Sequence, residues 1–165
     1  MASLLARIVA LGMRFRSVLP GLLLLATGAC SRHAPAIADH TASPSQWCFH
    51  STQGIDVYVN DGATCPRQSA FSSDADRVME RAGLDEGSFI GVRVVYVRGA
   101  IECNGIQTLG CTDVNRRISL VSVDCPWPRK LTQHELGHQA VQARGMPERR
   151  QDHGDPWWRR RVAGR

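Results

Sequence analysis

Hydrophobic and polar positions divide the chain into segments of different period. The first is an almost unbroken apolar run, Val18-Leu19-Pro20-Gly21-Leu22-Leu23-Leu24-Leu25-Ala26. Ser31 to about Gln46 is Ala, Pro, Ser, Thr and His with little apolar content, the composition of a tether. Asp56-Val57-Tyr58-Val59 is a short β-rich run closed by the turn formers Asn60-Asp61-Gly62. Ala75, Val78, Met79 and Ala82 then recur at helical spacing. They predict a helix that starts at Ser72/Ser73, runs through Asp74–Ala82 and stops at Gly83. Gly91–Gly99 is the strongest strand: Val92, Val94 and Tyr96 alternate with Val95 and Val97, so neither face is solvent-facing. A glycine-rich loop flanked by cysteines follows, and then a second strand over Arg117–Val123. Pro126 and Pro128 break the chain, so the next helix starts no earlier than about Pro128. It should end at Ala143 or Arg144, with Gly145 as its stop and Pro147 beyond it. The order is strand, helix, strand, strand, helix, irregular tail. It predicts an α+β domain with a small mixed or antiparallel sheet and two helices.

The N-terminal run changes the count of structural residues. Arg7, Arg14 and Arg16 precede it, and Thr27-Gly28-Ala29-Cys30 follow. A charged segment, a short apolar core and small residues are the parts of a secretory signal. The run is too short to span a bilayer comfortably. Cys30 in this setting resembles the lipobox cysteine of bacterial lipoproteins, with Thr27 where Leu is usual. The resemblance implies cleavage before Cys30 and a lipid on it, which anchors a domain to a membrane without a spanning helix. The expected division is a signal peptide over 1–29, a lipidated cysteine and tether over 30–46, and one domain over 47–165. The expected location is the bacterial cell envelope, lipid-anchored at the outer membrane or the periplasmic face, or the secreted fraction.

Cleavage also changes the charge. Of 20 basic residues three are lost, leaving 17 against 15 acidic ones, so the formal charge falls from +5 to +2. Only Arg159-Arg160-Arg161 remains as a basic cluster, and it reads as a solvated tail. No nucleic-acid partner is expected. An exported chain can keep disulfides. With lipid on Cys30, five of six cysteines remain and one is left over. The preferred pairs are Cys103–Cys111, closing Asn104–Gly110, and Cys48–Cys65, closing a loop around Ile55–Val59. Connectivity does not follow from sequence alone. The lack of any C-x-x-C pair speaks against a thiolate metal cluster.

The second predicted helix carries Thr132-Gln133-His134-Glu135-Leu136-Gly137-His138, an H-E-x-x-H pattern. In a helix His134 and His138 lie one turn apart on one face and can close on one metal ion. Glu135, beside the first ligand, can take a proton from water that the metal activates. Leu136, Ala140 and Ala143 share the side that should pack on the sheet. Gly137 costs about 1 kcal/mol relative to Ala in a helix interior, which predicts close approach by a strand or a substrate. A competing reading makes Thr132-Gln133-His134-Glu135 a capping box, with Glu135 bonded to the Thr132 backbone. A catalytic zinc takes three protein ligands and an open position. Glu148, Asp152, His153 and Asp155 are the candidates for the third. His153 is preferred as the only imidazole downstream, with Gly154 and Pro156 favouring a fixed turn and Asp152 or Asp155 able to orient a ligand imidazole.

His134-Glu135-Leu136-Gly137-His138 resembles the zinc helix of zincin metalloproteases. The mature chain is similar to small secreted or lipid-anchored bacterial proteins of zincin type, where a short loop, another histidine and a Trp-containing tail follow the helix. The matching residues are His134, Glu135, His138, His153 and Trp157/Trp158. The resemblance implies Zn2+ held by three histidines with Glu135 as general base. The metzincin extension is absent: Val141 and Arg144 stand at its glycine and third-histidine positions. Tyr96, Arg144 and Arg149 are the candidates for stabilising an oxyanion. The function expected is a lipid-anchored zinc metallopeptidase-like monomer acting on peptide or protein substrates. The alternatives are an envelope lipoprotein whose zinc is structural, and one without metal.

Overall fold

The computed structural model describes residues 45–60, 62–147 and 153–162. The signal segment, Cys30 and most of the tether lie outside the described residues. The described residues form seven strands: β1 (Gln46–His50), β2 (Asp56–Val59), β3 (Arg93–Val97), β4 (Ile101–Cys103), β5 (Ile106–Thr108), β6 (Gly110–Asp113) and β7 (Ile118–Ser122). The helices are α1 (Gln68–Ala82), α2 (Pro128–Ala143) and α3 (Pro156–Arg161). The expected α+β class is found. The sheet is mixed, with strand order β1-β2-β3-β7-β6. Strands β2, β3 and β7 are parallel, and β1 and β6 run antiparallel at the two edges.

Parallel central strands covered on both faces should read as apolar runs rather than alternation. Val94 to Val97 and all of β7 are buried. One face packs against α1 and α2: Val57, Val94, Tyr96 and Val121 meet Phe71, Ala75, Val78, Leu136 and Ala140. The other gathers Val95, Val97, Cys111, Ile118 and Leu120 with Ile101 of β4.

Three expectations are corrected. Helix α1 starts at Gln68 rather than Ser72/Ser73, because Phe71 is needed in the core, where it meets Phe49 edge to face at 5.7 Å between ring centres. The cysteine-flanked loop is instead a β4–β5 hairpin plus β6. Its turn is Asn104-Gly105, both at positive φ, as a two-residue hairpin turn of type I′ requires. The irregular tail contains α3, so the described residues hold three helices, not two. Asp155 caps α3, its carboxylate accepting from the Trp157 amide at 2.7 Å, and Pro156 occupies the first turn. Both preferred disulfides are formed, Cys48–Cys65 and Cys103–Cys111. Cys125 is the free cysteine among the described residues.

Candidate metal centre

Helix α2 begins at Pro128, a full turn before Thr132. The Thr132 hydroxyl therefore caps nothing. It donates to the Pro128 carbonyl at 2.9 Å inside the helix. The capping-box reading fails for that reason, and Glu135 keeps its carboxylate for other partners.

His134 and His138 project from one face of α2, and the turn ahead of α3 brings His153 to them. One nitrogen from each of the three rings lies within 4.8 Å of the others. His138 Nε2 and His153 Nε2 are 3.2 Å apart. Two nitrogens bound to one tetrahedral ion at 2.0–2.1 Å would be about 3.3 Å apart. The donor set and its spacing thus fit a shared metal ion. Burial, and then the neighbouring His138 and His153, push the His134 pKa down to about 4. Its ring is neutral at physiological pH, the form a metal needs. Trp158 backs the cluster. Its ring centre is 4.3 Å from His138, 5.0 Å from His153 and 5.2 Å from His134, and the residue is almost fully buried. His134 and His138 are half-buried and His153 is exposed, so the cluster meets solvent on one side.

Glu135, the residue after His134, is not one of the clustered ligands; it faces the β6 edge and is only 4% exposed. The Thr112 hydroxyl donates to its Oε2 at 2.7 Å. Burial pushes the Glu135 pKa up to about 7, with the Thr112 hydrogen bond pulling the other way. A carboxyl poised near neutrality can both accept and return a proton.

Several expected roles are corrected. Gly137 is small because of Val162, on whose side chain a Cβ at that position would collide, and not because of a strand or substrate. Leu136 and Ala140 enter the core as expected, but Ala143 is exposed at the helix end. Tyr96 is buried, with its hydroxyl 2.8 Å from Thr132 Oγ1, and burial raises its pKa further above the ordinary tyrosine value. The Arg144 guanidinium donates to the carbonyls of Ala82 and Gly83, tying α2 to the end of α1. Neither is placed to meet an oxyanion at the histidines. Asp155 serves as the α3 cap. Glu148, Arg149 and Asp152 lie outside the described residues.

The residues that sequence reasoning missed are Gly110 and Thr112, which touch the Glu135 carboxylate, and Ser119 and Gln139, which continue the hydrogen bonding beyond Thr112. Alternation of Gly110 and Thr112 about Cys111 would have placed both on one face of a strand, but the segment has no apolar pattern that marks it as one. A cavity of about 230 Å³ lies near the start of α2, lined by Phe71, Asp74, Tyr96, Arg129 and Thr132, and includes none of the three histidines. Among the described residues no helix is long and apolar enough to cross a membrane. Comparison of the chain with protein-family models, curated proteins and solved structures found no match.

Proposed function

We propose that the chain is a zinc-dependent peptidase-type hydrolase held at the bacterial envelope by a lipid on Cys30. The observation that carries the reading is the convergence of His134, His138 and His153 from two elements, with the next residue in α2 a buried carboxylate near neutral pKa. Three imidazoles and no thiolate are the donor set of catalytic zinc sites, which keep a position open. The exposed side of the cluster at His153 leaves room for one. Bound zinc supplies Lewis acidity that makes water nucleophilic near neutral pH and polarises a peptide carbonyl. The histidines hold the ion, Trp158 fixes their rings, and Glu135 accepts the proton of the attacking water and passes it to the departing amine. The substrate is a peptide or protein and the chain works as a monomer.

One observation favours a second reading, in which zinc is a staple. Trp158 and Val162 of the tail pack with Val141 on the histidine side of α2, so an ion there would also tie α3 to the domain. Glu135→Gln separates the two. A zinc-loaded wild type that cleaves casein or a peptide library, and a Glu135→Gln variant that does not while retaining about one zinc per chain, establish the peptidase. A zinc-loaded wild type that cleaves nothing leaves the staple. Absence of zinc after purification from zinc-supplemented medium without chelators sinks both.

A further inference from the structure

Between α2 and the β6–β7 edge, four polar side chains occupy an interface that apolar residues would ordinarily fill. Ser119, Gln139 and Glu135 are 0%, 2% and 4% exposed, and Thr112 is half-buried. They form a chain. Gln139 Nε2 lies 3.4 Å from Ser119 Oγ, Ser119 Oγ 2.9 Å from Thr112 Oγ1, and Thr112 Oγ1 2.7 Å from Glu135 Oε2. Its direction follows from its ends. An amide nitrogen only donates, and Glu135 in its ionised form, the form that acts as a base, only accepts. The two hydroxyls between them then point one way, from Ser119 to Thr112 and from Thr112 to Glu135. Thr112 Oγ1 is also 3.2 Å from the Glu135 carbonyl, but its single proton goes to the shorter contact, strengthened by the carboxylate charge.

The other oxygen of Glu135 is housed by Gly110, on the same face of β6. A Cβ there would overlap Oε1 and come within 2.8 Å of both Glu135 Cδ and Leu131 Cδ1. The φ of Gly110 is not positive, so space and not backbone conformation makes this residue glycine.

We propose that Thr112 is a positioning residue for Glu135: it anchors Oε2 and so assigns the proton exchange to Oε1, for which Gly110 leaves room. The inference rests on the peptidase reading. In the step it serves, Oε1 takes a proton from water as the water oxygen bonds to the peptide carbonyl carbon. The same proton goes to the amine nitrogen as the C–N bond breaks, so the net change is addition of one water across that bond.

The test compares Thr112→Val, which keeps the shape, with Thr112→Ser, which keeps the hydroxyl. The readouts are kcat and KM on a cleaved peptide, zinc affinity, and the 13C resonance of the Glu135 carboxyl in metal-free protein. Thr112→Val should lower kcat by about 10- to 100-fold, the usual effect of losing an outer partner, with KM and zinc affinity unchanged and the Glu135 resonance moved. Thr112→Ser should restore most of kcat and the resonance. Ser119→Ala, which cuts the chain one link further out, serves if Thr112→Val does not fold, and should lower kcat less. Wild-type kcat in Thr112→Val, or equal impairment in Thr112→Ser, overturns the inference while the peptidase reading stands. A zinc-loaded wild type with no hydrolysis overturns the peptidase reading and the catalytic role with it, and the carboxyl resonance then decides separately whether Thr112 holds Glu135.

Discussion

Helices α1 and α2 have nearly the same length, 15 and 16 residues, and lie side by side on one face of the sheet. They bury different chemistry. Helix α1 buries Phe71, Ala75, Val78, Met79 and Ala82, and one polar residue, Asp74. Helix α2 buries Thr132, Glu135 and Gln139 beside Leu136, Ala140 and Val141. A buried polar group is costly unless it is hydrogen-bonded, and each of these three has a partner: Pro128 and Tyr96 for Thr132, Thr112 for Glu135, Ser119 for Gln139. Even Asp74 serves α2, accepting from Arg129 Nε and Nη2 and from Gln133 Nε2, each at 2.8 Å. Core formation falls mainly to α1, and α2 holds the site with support from the elements around it.

The largest effect expected from that division is at Phe71. It is 2% exposed and wedged against Phe49. Phe71→Ala should cost about 3–5 kcal/mol, as for a large buried aromatic, read from urea unfolding of the metal-free protein, while the folded variant binds zinc normally. A cost below about 1 kcal/mol would break the comparison, since α1 would then not be the helix on which the core depends.

His153→Ala tests the opposite side. Zinc binding by four ligands is worth on the order of 10–16 kcal/mol, so one ligand is worth about 2.5–4 kcal/mol, or roughly 60- to 700-fold in affinity. The side chain is exposed, so metal-free stability should change by no more than about 0.5 kcal/mol. Competitive titration with a zinc chelator reads the first quantity and urea unfolding the second. Unchanged affinity would move the third ligand to another residue of the tail.

The same contrast explains what could be read in advance. The apolar stripe of α1 and the valines of β3 were visible because burial there uses only apolar residues at a regular period. Helix α2 was visible for another reason, a motif with fixed spacing bounded by Pro128 and Gly145. The seat of Glu135 was not. Thr112 and Ser119 come from adjacent antiparallel strands and meet only through the pairing of β6 with β7, and a polar residue facing inward carries no periodic signature. The β4–β5 hairpin did have a signal, Asn104-Gly105, but Glu102 and Gln107 beside it lack the apolar alternation of a strand. The start of α1 was missed because Arg67 at its N-cap position makes no side-chain cap.

The smallest expected effect is the pH dependence of the metal-free protein, which sharpens the claim that α2 accepts unfavourable burial. Glu135 holds its proton up to about pH 7 in the folded chain and loses it near 4.5 when unfolded. Between those values the native state binds more protons, so stability falls as pH rises. His134 does the reverse. Unfolded it is protonated below about 6.5, folded only below about 4, so stability falls as pH drops through that window. The two slopes oppose each other from pH 4.5 to 6.5 and leave a flat profile from this pair. Glu135→Gln removes one of them. Its stability relative to wild type should climb from pH 4.5 to 7 and then level off, by about 1–3 kcal/mol in total at no more than 1.4 kcal/mol per pH unit. Urea unfolding at half-unit pH steps measures the difference. A constant difference across that range would mean that the Glu135 carboxylate is solvated in the native protein. Its position between Gly110 and Thr112 would then impose no cost, and the contrast between the two helices would reduce to the histidines alone.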